Sequence, residues 1–239
     1  MHRRPEFARI RGVLGRSVHF RELPEADLDA LAELGHLLQF KDGDLVRTEA
    51  GGHRELWIVL DGSLRLSSVS AEGKEFVYGM LGVGTFFGLG NVLGGGDRSA
   101  DVHAMGKTTV ASIASDPLLA LLNKRPHLWR HAAALLHKRV SLAMNVVRDL
   151  HISPFPVRLA RRLLSYALSA GHQLEAKEAI ELRLTQGDLA RMLGASRSEV
   201  NATLKKLERE GLLEVRYRVV RLLSLPRLRE LGGPDIFAF

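Results

Sequence analysis

The chain has 239 residues, a length that fits one large or two modest domains. Apolar residues make up 46% and charged residues 26%, which excludes wholesale disorder and fibrous repeats. Lys plus Arg number 34 against 27 for Asp plus Glu, and the absence of cysteine excludes disulfides, thiolate nucleophiles, iron–sulfur clusters and cysteine-ligated zinc. No apolar run reaches the roughly 20 residues of a membrane span. Met1 to Pro5 leads into no apolar secretion core either, so the expected setting is the cytoplasm without a membrane partner. The positive surplus is uneven: residues 1–152 carry a net +2, whereas residues 153–239 hold 15 basic and 10 acidic side chains. Such asymmetry points the C-terminal part at a polyanion, with a solvated basic face as the alternative.

In chain order, residues 1–19 read as a basic N-terminal segment, and Pro24 to Leu38 carries apolar residues at helical spacing. Fourteen of the 23 glycines then fall between Gly43 and Gly106. Between them lie short apolar runs: Leu56 to Leu60 before Asp61-Gly62, Leu64 to Val69, Phe76 to Leu81 and Thr109 to Ile113. Short strands divided by Asp-Gly and Gly-rich turns predict an antiparallel barrel or sandwich over residues 20–125.

After Pro126 the period changes. Leu136, Val140, Ala143, Val147 and Leu150 step by four and three, and Leu128, Leu135 and Leu142 repeat by seven. The spacing predicts a helix over 126–152, about 25 residues and roughly 37 Å long, with a wide apolar stripe. Leu128, Leu135, Leu136, Val140, Ala143, Val147 and Leu150 are the expected homodimer seam, with a core helix under the barrel as the alternative. Pro154 and Pro156 stop this helix and mark a hinge.

Residues 153–239 read as a separate domain. Val157 to Ala170 is helical, with Arg158, Arg161 and Arg162 near its start. Thr185-Gln186-Gly187-Asp188 resembles a capping box with Asp in place of Glu and opens a helix ending at Leu193-Gly194. Ser196-Arg197-Ser198-Glu199 is a full capping box, opening a helix that closes at Gly211. Val200, Leu204 and Leu207 form its buried stripe, which turns Arg197, Asn201 and Lys205 outward together. Leu212 to Ser224 alternates like a β-hairpin. Two capped helices joined by a Gly-containing turn and followed by a basic hairpin predict a winged helix-turn-helix. Arg can pair bidentately with guanine, Asn with adenine, and lysines neutralise phosphate. The candidate DNA-binding residues are Thr185, Gln186, Ser196, Arg197, Ser198, Asn201, Lys205, Arg216 and Arg218, with Lys206 as a further phosphate contact or part of a solvated face.

From about Phe20 to Leu231 the chain resembles the bacterial cyclic-AMP receptor protein and fumarate-nitrate regulator superfamily. The resemblance rests on Phe40 to Asp44, Leu56 to Gly62, Gly84-Thr85-Phe86-Phe87-Gly88, Arg98-Ser99-Ala100, Leu184 to Arg197 and Leu204 to Leu212. It implies an α+β chain with an N-terminal cyclic-nucleotide-binding-like β-roll of jelly-roll type, a long dimerisation helix and a C-terminal winged helix. It also implies double-stranded DNA, a second copy of the chain and RNA polymerase as partners. In cyclic-AMP-binding relatives a carboxylate follows the Phe-Gly turn and holds the ribose, an Arg-Ser pair holds the phosphate, and hydroxyls on the long helix meet adenine. Here the effector candidates are Phe87, Gly88, Leu89, Gly90, Arg98, Ser99, Ala100 and Leu142. Leu89 cannot accept a hydrogen bond, the stretch from Gly88 to Arg98 is one residue short, and Leu142 and Ala143 stand where the hydroxyls would fall.

The expectation is therefore weak cyclic-AMP binding and an unknown effector: another anionic or apolar small molecule or a cyclic dinucleotide. A salt bridge with Asp97 or Asp101 is the alternative role of Arg98. Haem sensing would draw on His103, His127, His131, His137 or His151, none of which stands at a metal-ligand spacing; packing or surface roles are expected of them, and no metal site is expected. A pocket without an effector in a constitutive DNA-binding protein is a further reading. A cyclic-nucleotide-binding regulatory subunit would need no capped helix-turn-helix. The altered residues at Ser198 and Ala202, where relatives carry Glu and Arg, imply a different operator preference. No serine elbow or Walker lysine loop supports an enzyme.

Overall fold

The computed structural model describes residues 5–47, 54–94, 100–170, 172–174 and 178–233. Residues 5–16, read in the sequence only as a basic segment, form helix α1 (Pro5–Arg16). Its Phe7, Ile10, Val13 and Leu14 are buried, a three-and-four spacing that the interleaved arginines mask. Helix α2 (Glu25–Leu34) is shorter than its apolar spacing suggested. Gly35 ends it in extended backbone, and residues 36–38, expected as helix, open strand β1 (His36–Phe40).

Six strands make the first sheet: β1, β2 (Leu45–Arg47), β3 (Glu55–Val69), β4 (Glu75–Leu81), β5 (Phe86–Phe87) and β6 (Asp101–Ala114). They run in the order β1-β6-β3-β4, with β2 paired to β6 and β5 to β3. The expected turn at Asp61-Gly62 does not exist; β3 runs straight through it. Gly62 lies at φ 75°, and a Cβ there would stand 2.5 Å from the Lys107 carbonyl oxygen, so this glycine permits close approach of two strands rather than reversal.

A short helix α3 (Leu89–Gly94) follows β5, and α4 (Ser115–Lys124) follows β6. Helix α5 (His127–Ile152) matches the 3.6 period and is 26 residues long. By internal contacts the chain divides into one unit of residues 1–66 and 81–140, and another of 67–80 and 141–239. The division falls within α5, ahead of Pro154, where the sequence placed the hinge.

In the first unit, α1, α2, α4 and the start of α5 pack with β3, β5 and β6 around Ile10, Leu28, Ile58, Phe86, Ile113 and Leu118. Buried Asp27 in α2 accepts from Arg125 and meets His127 Nε2 at 2.6 Å. Burial alone would raise its carboxyl, but these two partners outweigh it and hold Asp27 below the usual carboxylate range.

The second unit is built on α6 (Phe155–Ser169), α7 (Gln186–Leu193), α8 (Arg197–Arg209) and α9 (Leu225–Gly232). A three-stranded antiparallel sheet, β7 (Ile180–Leu182), β8 (Leu213–Arg216) and β9 (Val219–Leu222), is ordered β7-β9-β8. Strand β7 is too short to show a period in the sequence. The tip of the β3–β4 hairpin belongs to this unit: Val77 and Met80 join its core, and Glu75 lies 3.0 Å from Arg191. Buried Arg162 donates to the Tyr78 and Met192 carbonyls at 3.1 Å each, and burial pushes its guanidinium pKa down to about 10 against the pull of Asp149.

Candidate functional site

Helix α7 starts where Thr185 Oγ1 accepts from Asp188 N, and the Asp188 carboxylate accepts from Thr185 N at 2.9 Å. Asp therefore completes a reciprocal capping box in place of Glu. Burial opposes its charge, yet Thr185 and Arg191 hold its carboxyl below the usual range. Gly194 ends the helix at φ 60°. At α8 only half of the expected box forms: Ser196 Oγ accepts from Glu199 N at 3.1 Å, and no return bond from Glu199 is present among the described residues. Thr185 and Ser196, both candidate DNA contacts, thus spend their hydroxyls on helix ends.

Val200, Leu204 and Leu207 of α8 are buried in the second unit's core, as the spacing required. Arg197, Ser198 and Lys205 are exposed and Asn201 is half-buried on the outward side. Arg197 and Asn201 reach back to α7. Gln186 Nε2 donates to Asn201 Oδ1 at 3.2 Å. A Cβ on Gly187 would stand 3.3 Å from Arg197 Nη2 and 3.4 Å from Nε. Gly187 has no positive φ, so its backbone has no need of glycine. In a helix it costs about 1 kcal/mol relative to alanine.

In the hairpin after α8, Arg216 lies 2.8 Å from Glu214 and 3.8 Å from Glu181, and Arg221 lies near the same two acids. Arg216 is half-exposed and shares its charge with these acids, so a phosphate there would compete with Glu214 and Glu181 for the guanidinium. Arg218, at the turn, has no ion-pair partner among the described residues, and Tyr217 beside it is 89% exposed. Glu208 accepts from Val215 N at 2.8 Å, fastening the hairpin to α8.

In the first unit a cavity of about 230 Å³ is lined by Phe87, Gly88, Leu89, Gly90 and Ala100, five of the effector candidates. Leu89 is buried in the core, so where relatives carry a carboxylate this chain builds an apolar wall. Arg98 and Ser99 lie outside the described residues. Leu142 does not line this cavity; it borders a smaller one, about 50 Å³, among α5, α6 and α7. Sequence reasoning missed Asn91 and Arg139, which do line the larger cavity. Arg139 donates to the Phe86 carbonyl, its guanidinium stands 4.3 Å from the Phe86 ring centroid, and burial pushes its pKa down to about 10. The available signal was a cation one turn beyond Leu135 and Leu136, on the face that α5 turns inward.

Leu128 and Leu135, counted in the dimer seam, are 3% and 4% exposed within their own chain. They are core residues, and Leu136 packs against that core, because the start of α5 already covers the first unit. Val140, Ala143, Val147 and Leu150 are exposed. Among the described residues no group of three or more His, Asp or Glu could hold a metal, and no helix is long and apolar enough to cross a membrane.

The pattern of the cyclic nucleotide-binding domain matches residues 37–125, and that of the Crp-like helix-turn-helix domain matches residues 157–231. The chain belongs to the Crp/Fnr superfamily. Among Crp/Fnr relatives, a CRP-like cAMP-activated global transcriptional regulator of Mycobacterium tuberculosis is 24% identical over 90% of this chain and 96% of its own length. The nitrogen fixation regulation protein FixK of Bradyrhizobium diazoefficiens is 28% identical over 88% of both chains. The solved c-di-GMP responsive global regulator CLP of Xanthomonas campestris has the same fold, with a TM-score of 0.67 and 23% identity over 84% of this chain and all of that one. This Crp/Fnr member is a transcriptional regulator that carries a cyclic-nucleotide-binding-type domain and a DNA-binding helix-turn-helix.

Proposed function

We propose that the protein is a cytoplasmic homodimer whose two α8 helices read half-sites about one helical turn apart, and whose sensor cavity answers to an effector other than cyclic AMP. The observation that carries the DNA reading is the orientation of α8: buried Val200, Leu204 and Leu207 on one side, Arg197, Asn201 and Lys205 on the other. RNA polymerase is the further partner. Arg197→Ala should weaken operator binding by about 1–3 kcal/mol and relax preference at one base pair per half-site. Footprinting checks this; wild-type affinity in the variant would overturn the placement.

The effector reading rests on the cavity's composition. Leu89 faces it with no acceptor for a ribose hydroxyl, while Arg139 and Asn91 supply polar groups at other points of the wall. An effector acts by binding the DNA-competent arrangement better than its alternative. Calorimetric titration with cyclic AMP should give an affinity weaker than micromolar, and micromolar or tighter binding would refute it. Cyclic di-GMP, named for the Xanthomonas regulator of like fold, is the comparison ligand.

A further inference from the structure

We infer that Gln186 and Gly187, on the first helix of the helix-turn-helix, are positioning residues that set which bases Asn201 and Arg197 of the second helix select. The inference rests on the proposed reading of DNA by α8. Both contacts join α7 to the outward side of α8, away from the stripe that holds the helices together. Leu189, Met192 and Leu193 of α7 and Val200, Leu204 and Leu207 of α8 supply the shared core without them. A hydrogen bond between two half-buried side-chain amides adds only modestly to folding, because each amide exchanges water for its partner. A helical glycine with ordinary φ weakens α7. Neither Gln186 nor Gly187 belongs to the apolar core, and both touch the two residues that α8 offers to a groove.

The chemistry is specific at each. Gln186 Nε2 donates to Asn201 Oδ1, so the Asn201 amide is held one way round and Nδ2 keeps both hydrogens for a base. That orientation suits a purine N7 as acceptor, with the second lone pair of Oδ1 left for an exocyclic amine. At Gly187 the missing Cβ leaves the space in which the Arg197 guanidinium lies, 3.3–3.4 Å from where that carbon would be. Arg197 and Asn201 are four residues apart, about 6 Å along the helix, which corresponds to base pairs roughly two apart.

The test is selection of bound duplexes from a library with randomised half-sites, using the full-length chain and its variants. Arg197→Ala and Asn201→Ala first mark the two base pairs. Gln186→Met, which keeps length and removes the donor, should lower discrimination about tenfold at the Asn201 position alone. Gln186→Glu can only accept, so it should turn the Asn201 amide round and move preference there toward a base that presents a donor. Gly187→Ala should shift preference at the Arg197 position, because the flexible guanidinium and not the backbone gives way. Thermal melting of each variant checks folding, and Gln186→Met, which replaces a half-buried amide by a good helix former, keeps the test open if Gly187→Ala misfolds. Unchanged base profiles, or a loss equal for all sequences, overturn the inference while leaving the DNA reading intact. A wild-type chain that selects no sequence overturns the DNA reading, and this inference with it.

Discussion

His19 packs edge-on against Phe86, ring centroids 5.2 Å apart, beside the cavity of about 230 Å³ in the first unit. Burial first, and then the positive neighbours Arg139, Lys138 and His131, push its pKa down from 6.5 to about 4. The unfolded chain takes up a proton near pH 6.5 that the folded chain accepts only near pH 4. Stability is therefore complete above that window and is lost as pH falls through it. For His19→Phe, the difference in urea stability between about pH 7 and pH 4.5 should shrink by on the order of 2–3 kcal/mol. His131, lowered chiefly by burial, retains part of the slope. An unaltered pH profile in the variant would mean that the ring is solvated in the native state. None of this was legible in the sequence, where His19 stands beside Phe20 without pattern; its neighbours Arg139 and Phe86 are distant along the chain.

At the scale of elements, local chemistry in the sequence carries far. Thr185, Asp188, Gly194 and Ser196 mark the ends of α7 and α8 because caps and left-handed glycines act within a turn. Asp61-Gly62 misleads for the opposite reason: a positive φ serves a reversal or a close strand crossing equally, and only the carbonyl of Lys107 decides which. The turn of the β8–β9 hairpin shows a third case. Arg218 occupies it at φ 57°, where glycine is the comfortable residue. Arg218→Gly should raise the melting midpoint by about 2 °C through relief of that strain, less the entropy of a freer unfolded chain. The same variant should weaken DNA binding at low salt and flatten its salt dependence, since it removes a cation that has no ion-pair partner among the described residues. Melting and gel shifts together separate the two effects; a fall in midpoint would show that the arginine supports the hairpin.

For the whole molecule, α5 holds the question of assembly. Val140 and Val147 are 61% and 50% exposed, Ala143 and Leu150 are exposed with them, and all stand at three-and-four spacing on one helix. Val147→Glu should convert a dimer to a chain of 26.4 kDa in light scattering and abolish tight binding to a two-half-site operator. Persistence of the dimer would move the seam elsewhere.

What the sequence determined alone is what strong local patterns specify within a few residues: the β-rich first unit between glycines, the length of α5, the two helix starts, and which side of α8 faces outward. Those follow from backbone sterics and from the 3.6 and 2.0 periods of side-chain direction. Tertiary structure decided which apolar residues of α5 are already covered by their own chain, and that Leu142 lies apart from the cavity of the first unit. It also brought Arg139 under Phe86 and Gln186 against Asn201. Burial and pairing depend on residues far apart in the chain, and a one-dimensional pattern contains the faces of an element but not what those faces meet.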